Sequence, residues 1–366
     1  MLKERLKPYF EELVKSYVFN ELSGEFLEKI GAADILMGIP MPIKESLLAE
    51  SMNAGGAGGD RAAPSGVSLT VLDIARAAAV VVGCDPNFPY ANDYKQFLRR
   101  IFKEKTEEVL VNEGYEKFSG AGSTGNAKIA DGTEKRLLEA ACFFRAALCI
   151  NPESQNGLYG YALCCREIYL NADRMDDEEY IGKFKAESIE ILETLTNLHP
   201  DFAFTYYYLG YAYLNMGLYT KAYLTWNDFL EKIKGDPAEG EVSDEINEIK
   251  ERLSSLAAPM EIEAGVTAVT SGRYHEGIEI LSQYTEGELS AWWPMHYYIG
   301  VAYESTGDAE NAVAAFKKAL TLSPSNIDVM DELVAIYHAL GDTENETKYA
   351  KKIEVVKNNR EYEKQQ

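Results

Sequence analysis

The chain has 366 residues, of which 26% are charged and 46% hydrophobic, as is typical of a globular chain long enough for two or three domains. Its formal charge is −23, divided into −4 on residues 1–90 and −19 on residues 91–366. This acidity excludes the basic surface that a nucleic-acid binder needs, and it disfavours docking on an anionic membrane. Neutral or basic partners are favoured instead.

No secretory signal or membrane-spanning segment is predicted, since the most apolar run, residues 71–84, is short and contains Asp73 and Arg76. We therefore expect a cytoplasmic protein. The cysteines form an odd set without a disulfide-framework spacing, which predicts reduced thiols. They are Cys84, Cys142, Cys149, Cys164 and Cys165.

Residues 1–90 are predicted to form a small helical N-terminal domain. Amphipathic patterns predict helices over residues 2–19 and 26–30, and a strongly apolar pattern predicts another over residues 69–82. The intervening residues 53–60 are rich in glycine, so we predict a mobile loop there.

Residues 120–125 fit the G-x-G-x-x-G pattern of phosphate-binding loops. No strand pattern precedes them, and Asn126 stands where a Walker sequence has lysine. Without a strand–loop–helix arrangement the backbone amides are not directed at an anion, so we predict a flexible loop between helices. The cysteines lack paired C-x-x-C spacing, the four histidines are far apart, and no nucleophile motif is present. The sequence thus predicts no catalytic residue, no cofactor and no metal.

A repeat begins at Trp293 and spans 34 residues, 293–326. Two helices pack closely only if small residues lie where they cross and large residues fill the adjoining holes. The frame has this pattern: Ile299, Gly300, Tyr303, Gly307, Ala312, Phe316, Ala319 and Pro324 stand at positions 7, 8, 11, 15, 20, 24, 27 and 32.

The same spacing recurs in residues 203–236 and, more weakly, in 258–292. The unit at 203 has Leu209, Gly210, Tyr213, Gly217, Ala222, Trp226 and Phe229 at the corresponding positions. Residues 327–356 begin another unit and then become polar, as expected of a terminal cap. Insertions over residues 171–184 and 235–256 interrupt the series, and the second is predicted to contain an extra helix over residues 244–256.

This pattern resembles the tetratricopeptide repeat (TPR) family. The resemblance implies an all-α fold, a right-handed α-solenoid of helix pairs over residues 91–356, preceded by the N-terminal domain and followed by a polar tail, 357–366. In this family, first-helix positions 2, 5, 9, 12 and 13 line a concave groove that binds partners. The resemblance therefore implies that five aromatic residues belong to a partner groove: Tyr159, Phe204, Tyr207, Tyr211 and Tyr297.

Two alternatives remain open for these aromatic residues. If the register is shifted by one residue, Tyr206, Tyr208 and Tyr298 exchange faces with them, and aromatic residues also fill cores. Positions 5 and 9 lack the Lys and Asn with which chaperone-binding repeats of the family hold a C-terminal carboxylate. An apolar or basic segment is therefore the favoured ligand.

Three functional hypotheses follow from the sequence. The first is a non-catalytic adaptor or scaffold that binds a protein or peptide segment in an aromatic groove, alone or as a subunit of a larger complex. The second is a peptide-responsive regulator whose N-terminal domain acts on an effector. The third is a nucleotide-dependent enzyme that uses the glycine loop at residues 120–125.

Overall fold

The computed structural model of the chain describes four stretches: residues 4–47, 70–120, 132–171 and 177–363. They belong to two compact units, Met1–Leu209 (unit 1) and Gly210–Gln366 (unit 2). The described stretches are helical apart from one two-stranded β-ribbon, which confirms the predicted all-α class. The glycine-rich loop predicted at residues 53–60 lies outside them.

Unit 1 begins with short elements, in the order α1 (Lys7–Val14), β1 (Tyr17–Glu21), α2 (Gly24–Lys29), α3 (Ala33–Leu36) and β2 (Pro40–Lys44). The two strands form an antiparallel ribbon in which Tyr17 lies opposite Lys44. The helix predicted over residues 2–19 is therefore wrong in its last part. Aromatic and β-branched side chains, here Tyr17, Val18 and Phe19, favour a strand over a helix, and β2 supplies the pairing partner.

Longer helices complete unit 1: α4 (Val71–Cys84), α5 (Ala91–Phe102), α6 (Thr106–Gly120), α7 (Thr133–Ile150), α8 (Gln155–Asn171) and α9 (Glu178–Leu198). Helix α6 packs against α7 and α8 against α9, while α4 and α8 both contact α7. A capping box of Thr70 and Asp73 begins α4. Because α1, β2, α5 and α7 all contact it, α4 is buried along most of its length, as its apolar sequence predicts.

The start of the chain is tied to α7, α8 and α9 by a polar network. Arg5 Nε donates to Glu187 Oε2 at 2.7 Å, and the Tyr161 hydroxyl donates to the other oxygen of Glu187 at 2.9 Å. Arg145 donates to Tyr161 at 2.9 Å and to the carbonyl oxygen of Gly83, at the end of α4, at 2.6 Å. Arg145 and Glu187 are 2% and 1% exposed, so each depends on these partners for its solvation.

Unit 2 contains the end of α10 (Ala203–Leu214), followed by α11 (Tyr219–Ile233), α12 (Ser243–Ser255), α13 (Ala257–Thr270), α14 (Tyr274–Ser282), α15 (Trp293–Ser305), α16 (Ala309–Leu322), α17 (Ile327–Ala339) and α18 (Thr343–Glu363). Helices α13 to α18 pack as three consecutive pairs. The extra helix predicted at residues 244–256 is present as α12. Residues 357–363, part of the predicted polar tail, continue α18.

The turn inside each helix pair of unit 2 contains a glycine at repeat position 15. These glycines adopt a left-handed backbone, with φ of 72°, 80°, 82° and 73° at Gly217, Gly272, Gly307 and Gly341. Other residues pay a steric penalty in this region because of their Cβ atom. The glycine therefore lets the chain leave the first helix and enter the second without strain.

A second glycine, at position 8, lies where the two helices of a pair cross. A Cβ atom on Gly300 would lie 2.7 Å from the Phe316 ring, and one on Gly210 would lie 2.3 Å from the Trp226 ring. Both rings stand at position 24 and are fully buried. The same close contact joins Gly265 to Leu281 and, in unit 1, Gly114 and Gly160 to Phe144.

Substitution of this crossing glycine should destabilise the protein. We expect Gly300→Ala to cost about 1–3 kcal/mol in the free energy of unfolding, because the added methyl group collides with the buried Phe316 ring. The matched control is Gly182→Ala in α9, where an added Cβ meets nothing within 4 Å. There the higher helix propensity of alanine should add about 0.5–1 kcal/mol. Urea denaturation measures both, and equal effects of the two substitutions would contradict the packing described.

The polar network of unit 1 gives a second stability prediction. Glu187→Gln removes the carboxylate that accepts hydrogen bonds from Tyr161 and Arg5. Buried Arg145 then lacks the nearby negative charge of Glu187, so the free energy of unfolding should fall by about 3 kcal/mol. Glu190→Gln removes the other acidic partner of Arg5. Because the Glu190 side chain is 40% exposed, this substitution should lower the free energy of unfolding by less than about 1 kcal/mol. Urea denaturation compares the two, and similar costs would show that Glu187 does not hold the network together.

Candidate functional site

The aromatic residues predicted to line a groove all lie on first helices of their pairs and are all half-buried. Tyr159 lies on α8 and Phe204 and Tyr207 on α10, all within unit 1, whereas Tyr211 and Tyr297 belong to unit 2. Their role in binding a partner stays a prediction, but their surroundings are now defined.

In unit 1 the three predicted residues belong to one aromatic cluster. The Tyr159 ring lies 5.0 Å from Phe202, edge to face, and 6.0 Å from Tyr208. Phe204 packs 5.9 Å from Phe202, and Tyr207 packs 5.0 Å from Tyr208 at an interplanar angle of 88°. Phe202 and Tyr208 thus connect residues that the repeat frame identified. Phe202 was not predicted to belong to the site, whereas Tyr208 was one of the residues that a register shift of one would place on the groove face.

The unit 1 cluster is completed by Arg166 on α8. Its guanidinium lies 5.0 Å from the centre of the Tyr208 ring and donates to Glu167 at 2.7 Å. Burial, with Tyr208 as the next cause, raises the pKa of the Tyr159 phenol above its ordinary value. The phenol therefore stays neutral, and the cluster offers aromatic faces beside a charge-balanced arginine.

In unit 2 the inserted helix α12 covers Tyr211. The Tyr211 ring packs 5.0 Å from Trp226, and the Arg252 guanidinium of α12 lies 5.1 Å from its centre. A hydrogen bond from Tyr211, followed by one from Arg252, holds the pKa of Glu248 below its usual range. Tyr211 is thus occupied by contacts within the chain. The insertion has no repeat register, so the sequence did not indicate where α12 would pack.

Tyr297 lies beside carboxylates. Its hydroxyl donates to Glu332 Oε1 at 3.0 Å, and its ring packs 5.7 Å from Phe316. Burial and the Glu332 charge raise the pKa of Tyr297 to about 12. Burial, and then Glu332, raises the pKa of Glu304, which stands at groove position 12 of the same helix. This part of unit 2 is aromatic and acidic.

The residues predicted to pack the repeats are found at helix contacts with one exception. Gly210, Ala222, Trp226, Gly300, Ala312 and Phe316 are all buried, and Tyr303 is half-buried against two hydrophobic clusters. Pro324 is exposed just after the end of α16. Gly114 was missed as a crossing residue because the segment between α6 and α7 breaks the 34-residue spacing.

The described stretches of the chain contain cysteines, histidines and many acidic residues that are potential metal ligands. There, no group of three or more histidine, cysteine or acidic residues could hold a metal ion. Residues 121–125 of the glycine motif lie outside those stretches. Among the helices described, none combines the length and the apolarity needed to cross a membrane.

The environment of Tyr297 predicts a pH effect on stability. Because its folded pKa is about 12 and its ordinary value is 10, an unfolded chain loses the phenolic proton first as the pH rises. The stabilisation from Tyr297 is therefore complete below pH 10 and lost towards pH 12. We expect Tyr297→Phe to lose stability less steeply than the wild type over this range, and Glu332→Gln to give an intermediate slope. Chemical denaturation at several pH values measures the slopes, and parallel profiles would contradict the assignment.

Comparison with known proteins supports the repeat assignment. Residues 294–326 match the model of the tetratricopeptide repeat family. No curated protein matches the chain. Similar solved structures include the TPR domain of P58(IPK), with 18% identity over 68% of this chain and 59% of that chain and a TM-score of 0.38. MamA from Desulfovibrio magneticus RS-1 has 16% identity over 54% and 96% of the two chains, TM-score 0.28. A tetratricopeptide repeat protein from Parabacteroides merdae has 16% identity over 77% and 93%, TM-score 0.29.

The family assignment rests on the matched repeat and on the helix-pair packing within the units. The matched residues coincide with α15 and α16, where Gly300 meets Phe316 and Gly307 makes the turn. The chain therefore contains a tetratricopeptide repeat at residues 294–326.

Proposed function

We propose that this protein is a non-catalytic adaptor or scaffold that binds a protein segment on the aromatic first-helix surfaces of its repeats. The observation that supports this most directly is the unit 1 cluster around Tyr159, Phe204 and Tyr207, where half-buried rings pack on one another. Tyrosine is enriched at binding hot spots because it offers a large, rigid contact area and a hydroxyl group.

The charges beside these rings point to an apolar or basic partner segment. In unit 1, Arg166 is balanced by Glu167, so the cluster has no excess charge to attract an acidic ligand. In unit 2, Glu332 accepts a hydrogen bond from Tyr297 and interacts with Glu304, and these carboxylates favour a lysine or arginine. The net charge of −23 adds long-range attraction of a basic segment.

A peptide library displayed on phage, selected against the purified full-length chain, tests the proposed partner chemistry. We expect the selected segments to be rich in apolar and basic residues, and their binding to weaken as salt is raised. Selection of acidic segments, or of none, would contradict the proposed surface.

Substitution of the predicted groove residues tests its location. Truncation of one predicted anchor in each unit, Tyr207→Ala with Tyr297→Ala, should weaken binding of a selected segment by roughly 30-fold or more. The matched control is Tyr206→Ala, since the Tyr206 hydroxyl donates to the Pro200 carbonyl oxygen at 2.9 Å and lies outside the groove positions. This control should change binding less than about twofold. Calorimetry measures the affinities, with circular dichroism to verify that each variant is folded, and unchanged affinity in the double variant would place the site elsewhere.

A further inference from the structure

Two of the cysteine thiols lie against each other in the core of unit 1. Cys84 is the last residue of α4 and Cys142 lies on α7. Their Sγ atoms are 3.3 Å apart, and both residues are fully buried. They are 58 positions apart in the sequence, so only the packing of α4 on α7 brings them together.

The backbone at this contact is held in place from both helices. Helix α4 approaches α7 so closely that a Cβ atom on Gly83 would lie 1.9 Å from the Cys142 carbonyl oxygen. The Arg145 side chain, one turn further along α7, donates to the Gly83 carbonyl oxygen at 2.6 Å. The backbone next to Cys84 and Cys142 is thus fixed in position, and this keeps the two sulfur atoms in contact.

We propose that Cys84 and Cys142 are a disulfide-forming pair, a covalent cross-link site that joins α4 to the repeat helix α7. With glutathione disulfide as oxidant, one cysteine thiolate attacks it, forms a mixed disulfide and releases one glutathione thiol. The second cysteine attacks the protein sulfur of that mixed disulfide and releases the other glutathione thiol. Two cysteines are oxidised, one glutathione disulfide is reduced, and the two cysteine protons pass to the released thiols.

The disulfide forms while the chain is unfolded or partly open, and not in the fully folded state. Burial raises the pKa of the Cys142 thiol, and the thiolate is the form that attacks. Both cysteines are also fully buried, so glutathione does not reach their sulfurs in the folded chain. Cross-linking is therefore slow in the folded protein and fast during folding, and once formed the bridge is protected from reductant by the same burial.

The remaining cysteines provide an internal control. Cys164 and Cys165 are adjacent on α8, where successive side chains point about 100° apart, and Cys149 is half-buried on α7. All three lie in one tryptic peptide, residues 146–166, whereas Cys84 lies in 77–95 and Cys142 in 137–145. The proposed bridge therefore has a distinct peptide signature.

The experiment is refolding of the reduced, denatured full-length chain in a buffer of reduced and oxidised glutathione, followed by alkylation and tryptic mass spectrometry. We expect peptides 77–95 and 137–145 to be linked and the three cysteines of 146–166 to be alkylated. The linked protein should melt roughly 5–10 °C higher than the reduced protein, because the bridge restricts the unfolded chain, and dithiothreitol should abolish the difference after unfolding. Cys149→Ala should keep the link, and Cys84→Ala should lose it.

Incubation of the folded chain in the same buffer just below its melting temperature gives a second route if refolding is inefficient. The proposal is overturned if neither route links the two peptides, if peptide 146–166 is linked as often as the proposed pair, or if the bridge forms without raising the melting temperature.

Discussion

The close contact between a first-helix glycine and a large second-helix side chain is the constraint around which the helix pairs at Gly210, Gly265 and Gly300 are built. Because Gly300 has no side chain, Phe316 can lie directly against the first helix, and Trp226 does the same at Gly210. The buried ring then supports the neighbouring aromatic residues of the first helix, since Tyr297 packs on Phe316 and Tyr211 on Trp226. Residues that define the fold and residues proposed to bind a partner are thus in direct contact. This explains why Tyr211 and Tyr297 are half-buried.

The polar network through Arg145 and Glu187 acts differently from this apolar packing. Buried charges contribute little net stability compared with well-packed apolar groups, but their hydrogen bonds are satisfied in one arrangement only. Here that arrangement requires Arg5, Tyr161 and the end of α4 to be in place together. The network therefore specifies how the N-terminal elements dock on the first repeat helices, which explains why residues 1–90 belong to the same compact unit as α5–α9.

The parts of the fold that could be predicted from the sequence are those in which local spacing determines packing. Glycine at positions 8 and 15 with a large residue at position 24 predicts a helix pair, because the first glycine admits the large residue at the helix crossing and the second makes the turn. The ribbon of β1 and β2 was not predictable in this way, since its strands pair across two short helices and depend on partners 19 to 27 residues away. The covering of Tyr211 by α12 was missed for a related reason. An amphipathic helix in an insertion shows which of its faces is buried but not the surface on which that face packs.

The distribution of charge around the tyrosines refines what the net charge of −23 implies. An overall excess of acid acts at long range, whereas selection of a bound segment depends on side chains within a few ångströms. In unit 1 those neighbours are aromatic rings and the balanced pair of Arg166 and Glu167, a lining suited to apolar residues. In unit 2, Glu332 accepts a hydrogen bond from Tyr297 and raises the pKa of Glu304, so a cation placed there would relieve repulsion between carboxylates as well as gain attraction. The surroundings of the unit 1 rings are therefore apolar and charge-balanced, whereas those of Tyr297 in unit 2 are acidic.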